Sequence, residues 1–163
     1  MSIFVAAKDV SEQVADMGDT SFSTKMVFGN NASLMIASRP AGYHSRPHTH
    51  PCEQLNYVNS GELWVCIEDQ AYFIQEGDFL RIPEGARHWS LNVSDAPCTV
   101  TEVHSPGLHA DPMLSDFAEP LFDAEENIAY LGNPVNKFLD ETDPFDVSVA
   151  ESKIVQGARE ASA

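Results

Sequence analysis

An all-β fold, built as a small antiparallel barrel or sandwich, is what this sequence predicts, and three features predict it. Short apolar runs recur from about residue 22 to residue 104, each bounded by turn chemistry such as Gly29-Asn30-Asn31, Asn59-Ser60-Gly61 and Pro83-Glu84-Gly85. No amphipathic helical period separates them, which argues against crossover helices and a parallel sheet. At 163 residues the chain fits one domain with enough core to fold without staples.

Taken in order, residues 8–20 carry Val10 and Val14 at i,i+4, which predicts one or two helical turns packed on a sheet. Lys25–Phe28 and Ser33–Ser38 flank a Gly-Asn pair and read as a hairpin. Further strands are expected at Tyr43–His50, Leu55–Val58, Glu62–Glu68, Ala71–Gln75, Phe79–Ile82, His88–Val93 and Thr99–His104. Leu63-Trp64-Val65-Cys66-Ile67 is apolar on both parities, so one face meets the core and the other meets a helix, a second sheet or a partner subunit. Edge strands need cover, and a homodimer exchanging edges would supply it. After Ser105-Pro106-Gly107 the strand texture stops. Pro112 to Leu131 reads as one or two short helices broken at Pro120, and the last ten or so residues as frayed. The organisation expected is a lead segment 1–22, a barrel 23–106, and a partly helical extension 107–163 wrapping the barrel or a dimer seam.

Composition narrows the partners. Twenty-five acidic against nine basic residues give a formal charge of -16, which repels phosphate backbones and anionic membrane and leaves a small-molecule substrate as the expected partner. Cys52, Cys66 and Cys98 are an odd count without a C-x-x-C pair, and residues 1–9 lack a basic leader followed by a full apolar stretch. Both readings point to reduced thiols in a cytoplasm.

The chemistry concentrates in His48-Thr49-His50-Pro51-Cys52-Glu53-Gln54 and in Gly77 to His88. Residues i and i+2 of a strand share a face, so His48 and His50 can converge on one ion, and Gln54 has the same parity. Three His with one amide oxygen form a mixed N/O set suited to a divalent transition metal (Zn, Mn, Fe, Ni or Cu) and poorly suited to Ca. The expected ligands are therefore His48, His50, Gln54 and His88. Arg46, two before His48, has the parity to face the metal and anchor a substrate carboxylate. His104, on the last strand, is the candidate general acid/base. Arg81 reads as a surface ion pair, His44 and His109 as loop residues, Asn92 as a turn residue.

These residues resemble the two motifs of the cupin superfamily. The first, Gly, five residues, His-x-His, three residues, an acidic ligand, six residues, Gly, is matched by Gly42, His48-Thr49-His50, Gln54 and Gly61. The second, Gly, five residues, Pro-x-Gly, two residues, His, three residues, Asn, is matched by Gly77, Pro83-Glu84-Gly85, His88 and Asn92. The resemblance implies a cupin jelly roll (double-stranded β-helix) over about 23–106. Gln54 stands where the family usually has Glu, which narrows the likeness to three-His, one-Gln cupins. These include sugar-pathway cupins acting on unsaturated uronates, polyketide-cyclase-like cupins and cupin hydroxynitrile lyases. His-x-His-Pro-x-Glu-Gln is most similar to the first group. The Ser-Pro closely followed by Arg expected there is replaced by Ser105-Pro106-Gly107-Leu108-His109.

A neutral amide leaves the charge of the ion uncompensated, which strengthens it as a Lewis acid and disfavours a trivalent state. The expected function is thus a metal-dependent lyase, isomerase or cyclase acting on a carbonyl- or hydroxyl-bearing molecule. The alternatives are an Fe- or Mn-dependent dioxygenase and a non-enzymatic metal or small-ligand binding protein.

Overall fold

The computed structural model describes residues 4–17, 20–29, 31–108, 118–120 and 136–160. Two antiparallel sheets face one another. The first contains β1 (Gln13–Asp16), β2 (Ser21–Phe28), β3 (Ser33–Arg39), β10 (Cys98–Ser105), β5 (Glu53–Ser60) and β8 (Phe79–Ile82) in that spatial order. β11 (Ala118–Pro120) continues its edge by pairing parallel with Met26–Phe28 of β2. The second sheet runs β12 (Lys137–Phe138), β4 (His48–Thr49), β9 (His88–Leu91), β6 (Glu62–Ile67) and β7 (Gln70–Gln75). The chain passes between the sheets at β3 to β4, β4 to β5, β5 to β6, β7 to β8, β8 to β9 and β9 to β10, which makes the pair a jelly roll.

Strand parity explains which side chains meet in the middle. On β3, Ser33, Met35, Ala37 and Arg39 are buried while Leu34 and Ile36 are exposed. On β10, Cys98, Val100, Glu102 and His104 point inward. On β5 it is Gln54, Asn56 and Val58. The interior thus has an apolar group around Val58, Leu63, Val65, Ile82 and Val100, and another around Phe22, Met26, Met35, Tyr43 and Leu108. A polar belt of Gln54, Asn56, Glu102 and His104 shares the same inner faces. Gly61 closes the β5–β6 turn with φ +80°, and an added Cβ there would sit 2.7 Å from the Pro97 carbonyl oxygen. Backbone conformation and lack of space both demand glycine at that position.

The double-sided apolar character of β6 has a specific cause. Leu63 and Val65 face the interior, while Cys66 and Trp64 face outward beneath α1 (Ser148–Glu160). Ala150 and Ile154 of α1, with Phe145 and Val147 before it, pack on Cys66 and Trp89, and Glu151 accepts a hydrogen bond from Trp89 Nε1 at 2.8 Å. The cover is therefore a helix of the same chain, and it occupies much of the segment expected to fray.

Three further expectations change. Among the described residues of 8–20, a single 3-10 turn at Ala7–Asp9 is followed by β1 and not by further helical turns. Val14 points to solvent and Ala15 to the core, a period of two that an isolated Val-to-Val spacing of four cannot distinguish from a helix. Tyr43–His50 is not a continuous strand, because Pro47 interrupts it and only His44 bridges, to Leu91. The helices expected over Pro112 to Leu131 fall almost wholly outside the described residues; Ala118–Pro120 within that range is strand.

Candidate metal centre

Three imidazoles converge at the middle of the barrel. His48 of β4 and His88 of β9 are partners across an antiparallel pair, and their rings lie 4.2 Å apart. His50 follows β4, with its ring 4.7 Å from that of His88. One ring nitrogen from each of the three lies within 4.8 Å of the others. All three are buried, between 2% and 7% exposed.

The backbone decides which nitrogen is offered. Nδ1 of His48 donates to the Arg46 carbonyl at 3.0 Å, and Nδ1 of His88 to the Ala86 carbonyl at 3.0 Å. Nδ1 of His50 donates to the Cys52 carbonyl at 3.1 Å, with Cys52 Sγ also 3.0 Å away. A carbonyl can only accept, so each contact places the proton on Nδ1 and leaves Nε2 with a bare lone pair. Burial holds all three neutral. His48 is pushed down to about 4 by desolvation, and His88 well below the ordinary histidine value by desolvation and then by the neighbouring imidazoles. Desolvation likewise lowers His50.

The Gln54 amide adds a telling contact. Its Nε2 donates to Asn56 Oδ1 at 2.8 Å, which fixes Oε1 as the end turned towards His50. That oxygen lies 3.1 Å from His50 Nε2. With Nδ1 protonated, the contact brings two acceptors together, an arrangement that a cation between or beside them relieves. The donor set therefore fits a divalent transition metal.

Around the cluster is a cavity of about 50 Å³. Phe22, Met35, Tyr43, Leu63, Val65 and Leu108 give it apolar walls, and its only charged lining residues among those described are Arg39 and Glu102. These two form a buried ion pair through Arg39 Nη2 and Glu102 Oε1. His104 is also on the wall, 2% exposed, opposite Gln54 in the β5–β10 register, with its ring 5.4 Å from that of His50. Its Nε2 is 4.0 Å from Glu102 Oε2, and its Nδ1 has no partner among the described residues. Burial, then the neighbouring imidazoles, holds it well below the usual histidine value.

Arg46 is elsewhere. It is exposed, its guanidinium stacks over Phe138 at 5.1 Å, and Nη2 donates to the Leu139 carbonyl at 3.3 Å. The alternation that would have turned it inward slips at Pro47: Tyr43 and Ser45 are buried, Arg46 is out, and His48 is in again. The inward arginine is Arg39, one residue beyond the strand expected at Ser33–Ser38. Extending the alternation Ser33, Met35, Ala37 by one step finds it. Arg81 pairs with Glu53 at 2.5 Å on the outside, and His44 with Glu151 at 3.0 Å. His109 lies outside the described residues. Asn92 ties its turn together, donating to the Arg39 and Ala96 carbonyls and accepting from Ser94.

A jelly roll with a buried three-histidine centre that can hold a metal ion defines the class. Residues 35–104 match the model of the cupin domain family. No curated protein matches the sequence. Solved structures that are similar include an RmlC-like cupin from Shewanella frigidimarina, with 19% identity over 65% of this chain and 92% of that one (TM-score 0.55). KdgF from a Halomonas species is 20% identical over 65% and 94% (TM-score 0.56). A cupin-superfamily sugar phosphate isomerase from Silicibacter pomeroyi is 17% identical over 63% and 74% (TM-score 0.54). At such identities the likeness establishes the shared fold.

Proposed function

We propose that the protein is a metal-dependent enzyme of the lyase, isomerase or cyclase type, acting on a small molecule with a carbonyl or hydroxyl group. The observation that carries this reading is the neutrality of the three-imidazole cluster: His48, His50 and His88 are held as bare-Nε2 imidazoles, and Gln54 Oε1, 3.1 Å from His50 Nε2, would add an uncharged fourth donor. A divalent ion bound there keeps its charge and supplies Lewis-acid polarisation of a substrate oxygen. The chain does the rest. Phe22, Leu63 and Val65 exclude water from one side of the cavity, and Glu102, the only carboxylate on its wall among the described residues, is engaged by Arg39. His104 would take the proton, since it is neutral and its Nδ1 has no partner among the described residues.

The test is elemental analysis of untagged protein, followed by a screen of hydroxy acids, aldehydes and ketones under anaerobic and aerobic conditions. Turnover without dioxygen is expected. Gln54→Glu should retain the metal and lose about tenfold or more in turnover, because a carboxylate offsets the charge that polarises the substrate. Equal rates in the two proteins, or turnover strictly tied to oxygen uptake, would sink the Lewis-acid reading.

We also infer a homodimer. Leu34, Ile36, Leu55, Tyr57 and Phe79 form a continuous exposed stripe across β3, β10, β5 and β8, in register through Thr101 and Val103. On a chain of net charge -16, this stripe is where two copies can meet without opposing carboxylates, and Phe79 is 79% exposed. Phe79→Asp is expected to convert a dimer to a monomer by light scattering; a monomeric wild type would refute the inference.

A further inference from the structure

We propose that Arg39 is the anchor for a carboxylate on the molecule that occupies the cavity. An arginine only 7% exposed, on the inner wall of a strongly acidic chain, requires an explanation beyond solubility. Glu102 accounts for Nη2 alone. The Nε and Nη1 donors are buried and have no partner among the described residues. Buried donors normally find an acceptor, and a guanidinium with spare N–H groups on a cavity wall is suited to carboxylate oxygens.

The guanidinium is also held in place before any ligand arrives. Its Cζ lies 5.4 Å from the Phe22 ring centroid and 5.6 Å from that of Tyr43. Asn92 donates to the Arg39 backbone carbonyl at 3.1 Å, fixing the strand end. Such packing lowers the ordering cost of binding. Charge does not oppose an anion. Arg39 and Glu102 cancel, the imidazoles are neutral, and a bound divalent ion would make the cavity positive. A monoanionic carboxylate matches one arginine better than a phosphate dianion does. Arg46, on the outer surface, cannot serve. The carboxylate class deepens the function proposed above and rests on it for the cavity being the substrate site.

The test titrates acetate and pyruvate, with acetamide and pyruvamide as neutral counterparts, into chelator-stripped and metal-loaded protein by calorimetry. Arg39→Gln/Glu102→Gln removes both charges together, so that no lone carboxylate is left buried; Arg39→Lys keeps the charge, and Arg46→Gln is the surface control. Stripped wild-type protein should bind pyruvate in preference to pyruvamide. Affinity should fall about tenfold or more in the double variant, less in Arg39→Lys, and not at all in Arg46→Gln. Equal binding of acid and amide, undiminished pyruvate binding by the double variant, no binding of either carboxylate, or tighter binding of inorganic phosphate would each overturn the proposal. If the double variant does not fold, the acid–amide contrast and Arg39→Lys still decide. Failure of the metal reading appears separately, as absence of metal in the loaded arm, and leaves the stripped titration readable.

Discussion

With alanine in place of His88, the protein is expected not to take up an added divalent ion, while the barrel stays folded. His88 sits directly across from His48 in the β4–β9 pairing, and its Nδ1 is tethered to the Ala86 carbonyl, which aims its Nε2 at the cluster. Two imidazoles of the cluster remain, short of the usual coordination of a transition metal. Removing an outer partner of a ligand already costs about 10–100-fold in affinity, so loss of a ligand should exceed about 100-fold. The stripped variant should lose some stability, on the order of 1–3 kcal/mol, because the truncation leaves the Ala86 carbonyl without its donor and a void where the ring packed. Wild-type protein should gain thermal stability on addition of Zn or Mn, by mass action, and the variant should not. His104→Ala separates the fourth imidazole from the cluster, since its ring is near His50 yet outside the three-nitrogen group: that protein should still load metal. Retention of one ion per chain by His88→Ala after dialysis would exclude the three-histidine centre.

What the sequence disclosed, and what it hid, follows from the range of each interaction. The convergence of His48, His50 and His88, with Gln54 beside them, is legible because the parity of β4 and β5 and the turn before β9 are written in short strings with Pro and Gly at fixed offsets. The structure brings the three imidazoles together and sets Gln54 Oε1 against one of them. Arg46 was misplaced for the opposite reason: parity holds only while backbone pairing is regular, and Pro47 ends it. Arg39 was one step from being found, but its engagement with Glu102 was not readable. The two residues are not register partners, as Arg39 faces Cys98 and Glu102 faces Met35, and only the reach of a long side chain joins them. The apolar outer face of β6 announced that something must cover it. Only the fold shows that Ala150 and Ile154, over eighty residues later, do so.

Acid should unfold the metal-stripped protein through the same histidines. His48 in the folded chain is pushed down to about 4, against an ordinary value of 6.5, with burial the leading cause. Between those values the unfolded chain binds a proton that the folded chain refuses, so unfolding free energy falls as pH falls. The stabilisation from keeping His48 neutral is fully present above about 6.5, and is lost progressively on the way down to about 4. Below that both states are protonated and this contribution is level. Its size is on the order of 3 kcal/mol for His48, and His50, His88 and His104 shift in the same direction. Carboxylates also respond to acid, so the wild type is compared with His48→Gln, which keeps a polar side chain without the titration. Urea unfolding of both stripped proteins from pH 7 to about pH 4 should give a steeper fall for the wild type. Bound metal should hold stability to lower pH and then release abruptly, since protons and the ion compete for the same nitrogens. Parallel pH profiles for the two proteins would mean that the pocket is wet enough to charge His48 at its ordinary value. A histidine so hydrated could not be the dry, neutral donor that the proposed chemistry requires.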